Sequence, residues 1–156
     1  MKKAVSGLAM SSIWTKYANW IENKRNFPVM VWFHGGGMTS GDREFPVNFD
    51  NGKAALVSVG YRLYGQGASC PDFILDAAAA IAWVIKHIGE YGGDVSRIYV
   101  SGHSAGAYLL TMVALNPEYL AAFGCHPNQI AEYFPLSAQM STHFSILDER
   151  RTKDQN

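Results

Sequence analysis

The chain carries no apolar run long enough to cross a bilayer. Its longest, Ala77–Ile85, is less than half of the roughly 20 residues that a spanning helix needs. Cysteine is scarce: Cys70 and Cys125 show no metal-like spacing, and the simpler reading leaves both as free thiols. An excess of one charge is missing as well. Lys plus Arg balance Asp plus Glu at 13 each, so nothing points to nucleic acid or an acidic membrane as partner. There are no internal repeats and no linker, so the 156 residues are read as one domain, with residues 1–27 as its least defined segment. A clear leader is absent too. Met1-Lys2-Lys3 followed by Ala4–Ile13 has the outline of one, but Ser6, Gly7, Ser11 and Ser12 dilute the apolar stretch and no A-x-A site follows. The expected location is therefore cytoplasmic by default.

What is present is an ordinary globular composition, with 48% hydrophobic and 17% charged residues, 15 Gly and 4 Trp, which argues against disorder. The pattern alternates between two periods. Pro28–Phe33 is a continuous apolar run, the mark of a strand buried on both faces, and Ala54–Tyr61 reads as a second buried strand and its parallel neighbour. Pro71 then opens a helix in which Ile74, Ala77, Ala78, Ile81, Val84, Ile85 and Ile88 recur at helical spacing. Asp76, Trp83, Lys86, His87 and Glu90 fall on or near the other side, and Gly92-Gly93 stops it. Arg97–Ser101 reads as a third strand, followed by a helix that ends at Asn116-Pro117. Tyr133–Ala138 is a fourth strand, with a helix from His143 to Arg151. At the amino end, Ser12–Thr15 reads as a short strand and Tyr17–Arg25 as loop or frayed helix. Alternating strands and helices predict a mostly parallel sheet with helices on both faces. In such sheets ligands bind beyond the strands' carboxyl ends.

Gly102-His103-Ser104-Ala105-Gly106 sits at such an end, between the Ile98–Ser101 strand and the Ala107–Ala114 helix. G-x-S-x-G at a strand-to-helix turn lifts a serine hydroxyl above the sheet edge, where it serves as a nucleophile. His34-Gly35-Gly36-Gly37 follows another strand and turns backbone N–H groups toward developing negative charge. The N–H of Ala105, at the start of a helix, complements them. A rival, Gly65-Gln66-Gly67-Ala68-Ser69-Cys70, imitates a dinucleotide-binding G-x-G-x-x-G. Cys70 replaces the third glycine, which close helix–strand packing needs, so that reading is rejected.

These motifs resemble the α/β-hydrolase fold, in particular its carboxylesterase/lipase branch. The resemblance extends to Tyr61-Arg62-Leu63 and Tyr91-Gly92-Gly93-Asp94. Ser137-Ala138-Gln139-Met140-Ser141-Thr142-His143-Phe144 is similar to the segment after the next strand in bacterial feruloyl-esterase-like proteins. It covers roughly residues 28–150. It implies a partial α/β-hydrolase fold and hydrolysis of a small carboxylic ester through an acyl-enzyme, with Ser104 as nucleophile. Gly36, Gly37 and Ala105 would donate to the oxyanion, and neither metal nor organic cofactor would be needed.

The family's triad runs Ser, then Asp or Glu, then His. After Ser104 the only histidines are His126 and His143, and both aspartates, Asp148 and Asp154, follow them. Glu118 and Glu132 precede His143 but are poorly placed to orient it. His143, just past a strand end, is the remaining candidate base. His103 is expected to point into the structure, His34 to shape its loop, and His87 to be solvated. The expectation is a C-terminally truncated serine esterase with an open sheet edge. The alternative is a non-catalytic α/β-hydrolase-like binding domain or inactive fragment, taking a small acyl compound or a partner chain. Acyl specificity and oligomeric state are left open.

Overall fold

The computed structural model describes residues 13–16, 25–46, 53–139 and 141–153, with the backbone alone for 13–16. The expectations for residues 1–12 and 17–24 lie outside the described residues.

Among the described residues five strands form one sheet. They are β1 (Ile13–Lys16), β2 (Phe27–Phe33), β3 (Ala55–Val59), β4 (Gly93–His103) and β5 (Glu132–Leu136), in the spatial order β1-β3-β2-β4-β5. β1 is antiparallel to β3, and the other four strands are parallel to one another. Val29 pairs with Ala55 on one side and with Ile98 on the other, and Tyr99 pairs with Glu132. The apolar runs read from the sequence are the central strands because both their faces are covered. Val29, Val31, Val57, Ile98 and Val100 are fully buried.

Among the described residues four α-helices accompany the sheet: α1 (Asp72–His87), α2 (Ala105–Leu115), the single turn α3 (Glu118–Ala121) and α4 (Phe144–Lys153). The crossovers after β3 and β4 both step in the same direction across the sheet, so right-handed connections put α1 and α2 on the same face. There Phe73, Ala77, Ile81 and Val84 of α1 join Leu109, Leu110 and Val113 of α2 in one core with the valines of the sheet. The chain leaves β2 toward β3 but leaves β4 toward β5, the opposite way. Their carboxyl ends therefore flank a topological switch point, the crevice in which an open α/β sheet binds its ligand.

The structure corrects one expectation for α1. Trp83, assigned by periodicity to the outward side, is only 9% exposed. The chain past α1 folds back over it. The Trp83 ring lies 5.3 Å from His87 and 5.9 Å from Tyr91, so a second apolar stripe is covered besides the one that meets the sheet.

At the other edge, β5 pairs only with β4 among the described residues, and Phe134 and Leu136 are 40% and 45% exposed. Two motif segments act as braces. The Arg62 guanidinium donates twice to Asp76, at 2.8 Å each, and the Arg62 main-chain amide donates to the same carboxylate at 3.0 Å. Asp94 accepts from Ser96 and Arg97, whose side chain also reaches the Asn26 carbonyl. These charge-assisted bonds hold the Asp94 carboxyl at about 2, well below its ordinary range.

Candidate active site

β4 ends in Gly102 and His103, α2 begins at Ala105, and Ser104 is the single residue between them. Its backbone stands at φ 52°, ψ −114°, a region that L-residues with a side chain rarely adopt. Three features impose it. The Ser104 N–H donates to Leu136 at 3.0 Å, and its C=O accepts from Tyr108 at 2.9 Å as the first bond of α2. The flanking glycines supply the third by letting backbones touch. A Cβ at Gly106 would lie 2.3 Å from the Phe33 carbonyl oxygen, and one at Gly102 would lie 2.9 Å from the same atom. The turn is sharp because α2 is drawn hard against the end of β2.

That contact brings the glycine run after β2 to the serine. A Cβ at Gly35 would sit 3.4 Å from the Ser104 Cβ and 3.1 Å from the His103 carbonyl oxygen. Gly36 and Gly37 take φ 103° and 62°, and Met38 follows at 64°. At Gly36 no other residue fits, since a Cβ would meet the Ser40 carbonyl oxygen at 2.1 Å. Ala105 is fully buried at the first turn of α2, where backbone N–H groups lack intrahelical partners and the helix dipole is positive. Ser104, the Gly35–Gly37 run and the start of α2 are thus assembled at the switch point.

His34 lies beneath this loop, 7% exposed, with Nδ1 2.7 Å from the Gly35 carbonyl oxygen and its ring stacked 4.4 Å from Tyr61. The Tyr61 hydroxyl donates to the His34 carbonyl at 2.9 Å. Burial lowers the His34 pKa, which keeps the ring neutral at pH 7.

His143 is 1% exposed and caps α4. Its Nδ1 accepts from the Ser145 amide at 3.3 Å, and its carbonyl accepts from Ile146 and Leu147. Its ring lies 5.6 Å from Tyr108, one turn past Ser104, and 4.4 Å from Phe144. Burial lowers this pKa too. The expectation for His103 is corrected. It is exposed, because β4 alternates and Gly102 already faces α2, which turns His103 toward the other side. There it lines an open cavity of about 630 Å³ with Trp32, Gly36, Asp42, Glu44, Phe45 and Leu136.

Sequence reasoning missed two participants, Tyr64 and Ser145. The Ser145 hydroxyl donates to the Gly37 carbonyl at 2.7 Å, and Tyr64 donates from its main chain to Met38 at 3.0 Å. Neither lies in a motif with a mechanism attached, so no local signal marks them. Among the described residues no group of His, Cys, Asp and Glu could hold a metal, and no helix is long and apolar enough to cross a membrane.

The model of the BD-FAE family matches residues 18–145, which include both glycine motifs and all four parallel strands. The chain belongs to the BD-FAE family. Its fold is a partial α/β-hydrolase fold of the esterase kind. This BD-FAE chain is 42% identical over 94 residues to the carboxylesterase NlhH of Mycobacterium tuberculosis, covering 57% of this chain and 29% of NlhH. Among solved structures it resembles a bacterial heroin esterase, with a TM-score of 0.58 and 30% identity over 74% of this chain and 35% of that one. It also resembles Thermogutta terrifontis esterase Est2 solved with butyrate bound, with a TM-score of 0.57 and 29% identity over 70% and 42%. The chain spans 20–29% of the length of the curated relatives it matches.

Proposed function

We propose that this chain carries the nucleophile and oxyanion hole of a serine esterase acting on small carboxylic esters. The observation that carries the reading is the strained Ser104 held against a run of three glycines and the start of a helix. A non-glycine residue in that conformation costs about 1–3 kcal/mol, and such strain clusters at functional sites. The Ser104 hydroxyl attacks the ester carbonyl and its proton passes to a base. The N–H groups of Gly36, Gly37 and Ala105 hold the oxyanion. The alcohol then leaves with the proton, and water releases the acid from the acyl-enzyme.

His143 is the candidate base within this chain. Burial keeps it neutral, but while Nδ1 accepts the Ser145 amide the ring proton sits on Nε2. His143 can therefore take the serine proton at Nε2 only in the other tautomer, with that amide bond given up. Trp32, Phe45, Pro46 and Leu136 give the cavity an apolar wall beside Asp42 and Glu44, and the butyrate in Est2 supports a short acyl group.

A fluorophosphonate probe tests the assignment. The folded chain is expected to be labelled at Ser104, with labelling lost in Ser104→Ala. A folded chain that takes no label would favour the non-catalytic binding domain. Release of p-nitrophenol from p-nitrophenyl butyrate by the labelling-competent protein would extend the reading to turnover.

A further inference from the structure

The three carbonyls of the glycine run are each held, and by different parts of the chain. The Gly35 oxygen lies 2.7 Å from His34 Nδ1 and 3.4 Å from the Tyr61 hydroxyl. The Gly36 oxygen accepts from the amides of Thr39 and Ser40, at 3.0 and 3.1 Å. The Gly37 oxygen accepts from Ser145 Oγ at 2.7 Å. The first two anchors are local or come from the end of β3. The third comes from α4, 108 residues further along.

Peptide planarity makes each anchor a constraint on an N–H. A carbonyl that turns carries the next residue's amide with it, so the anchors at Gly35, Gly36 and Gly37 act directly on the amides of Gly36, Gly37 and Met38. Glycine, lacking a Cβ, resists such turning least, so the run depends on its anchors. A serine in the first turn of a helix commonly spends its hydroxyl on its own helix end. In α4 that duty falls to His143, whose Nδ1 takes the Ser145 amide, and the hydroxyl is left to reach across to Gly37.

α4 is itself fastened. The Tyr64 hydroxyl donates to the Ser145 carbonyl at 3.1 Å and to Glu149 at 2.8 Å, and the Cys70 amide donates to the same carboxylate at 3.1 Å. The Tyr64 main chain in turn holds Met38, the fully buried residue after Gly37. Gly37, Ser145, Tyr64 and Met38 close a circuit. The Phe144 ring roofs it, at 3.4 Å from where a Gly37 Cβ would stand.

We propose that Ser145 is a positioning residue of the oxyanion hole: its hydroxyl holds the Gly37 carbonyl and so fixes the peptide plane that follows Gly37, anchoring the carboxyl side of a residue whose own amide is assigned to the oxyanion. It touches no reacting atom. This rests on the reading of Ser104 as nucleophile, and the same probe separates the two claims.

The experiment compares fluorophosphonate labelling rates of wild type, Ser145→Ala, Ser145→Thr and Ser145→Cys, resolved into maximal rate and half-saturating concentration, with thermal unfolding as the check on folding. Ser145→Ala is expected to lower the maximal rate about tenfold, less than the ~10²–10³ of deleting a donor outright, with half-saturation within about twofold. Threonine keeps the hydroxyl and is expected to restore the rate to within about threefold. Cysteine, a weak donor of similar size, is expected to fall between them and decides the matter if the alanine variant does not fold. Labelling of Ser104 at the wild-type rate in folded Ser145→Ala or Ser145→Cys overturns the role of Ser145 and leaves the nucleophile standing. A threonine variant as slow as the alanine variant also overturns it, because the loss then lies in packing and not in the hydroxyl. A wild type that takes no label removes both claims.

Discussion

The main-chain amide of Ser104 donates to the carbonyl of Leu136 across 3.0 Å, just beyond the last β4–β5 pair, His103 with Leu136. The turn that presents the serine is thereby fastened to the outermost strand on one side, while Gly106 presses it against Phe33 and His34 on the other. A strained turn persists only where its surroundings leave no alternative. Here those surroundings are a sheet edge and two strand ends, which makes the geometry of Ser104 a property of the whole sheet.

Close packing at Gly106 sets the first prediction. A Cβ there would stand 2.3 and 2.4 Å from the carbonyl oxygens of Phe33 and His34, both backbone atoms that cannot swing away. Gly106→Ala is expected to destabilise the fold by about 3 kcal/mol or more in urea unfolding. Gly65→Ala, where nothing stands within 4 Å, is expected to stay within about 0.5 kcal/mol. Equal midpoints for the two variants would contradict the packing described.

Strain at Ser104 separates two substitutions that both delete the hydroxyl. Alanine keeps the Cβ and hence the strain at φ 52°, whereas glycine relieves it. After subtracting the greater freedom of glycine in the unfolded chain, Ser104→Gly is expected to exceed Ser104→Ala in stability by about 1 kcal/mol. Urea titration of the pair measures the difference, and a less stable glycine variant would mean that no strain is stored there.

Acid should weaken the fold through His34 and His143. Burial lowers both pKa values below the 6.5 of the unfolded chain, with Asp42 opposing the shift in part at His34. Between the folded and unfolded values the unfolded state binds more protons. The stability from the neutral rings is therefore complete above 6.5 and is lost as pH falls through the folded values. Unfolding free energy is expected to decline as pH falls below 6.5. His143→Asn retains an acceptor for the Ser145 amide but does not titrate, so it should flatten that slope. An unchanged slope would remove His143 from the account.

The brace behind the loop gives a fourth test. Asp76 accepts both guanidinium bonds and the main-chain amide of Arg62, and the Arg62 side chain is half exposed. Asp76→Ala strips three donors of one acceptor and is expected to lower stability by about 1–2 kcal/mol. Arg62→Lys, which loses only the forked geometry at a solvated site, should lower it by about 0.5 kcal/mol. Both are read from denaturant midpoints, and the order of the two is the point at issue.

The central strands and the elbow were legible because their signals are local. Val29–Phe33 and Ala55–Val59 lie in the covered middle of the sheet, so the first announces itself as an unbroken apolar run and the second as one broken only by the buried Ser58. The Gly102–Gly106 motif is legible because a strand, a turn and a helix must follow one another within a few residues. Trp83 was not. A period of 3.6 identifies the stripe that faces the sheet and is silent about a second stripe covered by a later turn of chain. His103 was misjudged by treating the motif apart from its strand, whose alternation sends Gly102 inward and its neighbour outward.

By itself the sequence determined which residues can adopt the special backbone of the site. Glycine stands at Gly36 and Gly37, where φ is positive, and at Gly102 and Gly106, where two backbones meet, a serine occupies the turn, and largely apolar runs supply the strands that carry them. Only the tertiary structure decided how those pieces face one another. Strand order places the ends of β2 and β4 side by side, and contacts such as Tyr61 to His34 and Ser145 to Gly37 join residues 27 and 108 positions apart. Side-chain chemistry and local periodicity act over a few residues. A hydrogen bond across a hundred depends on the packing of every element between them, and no short-range pattern encodes it.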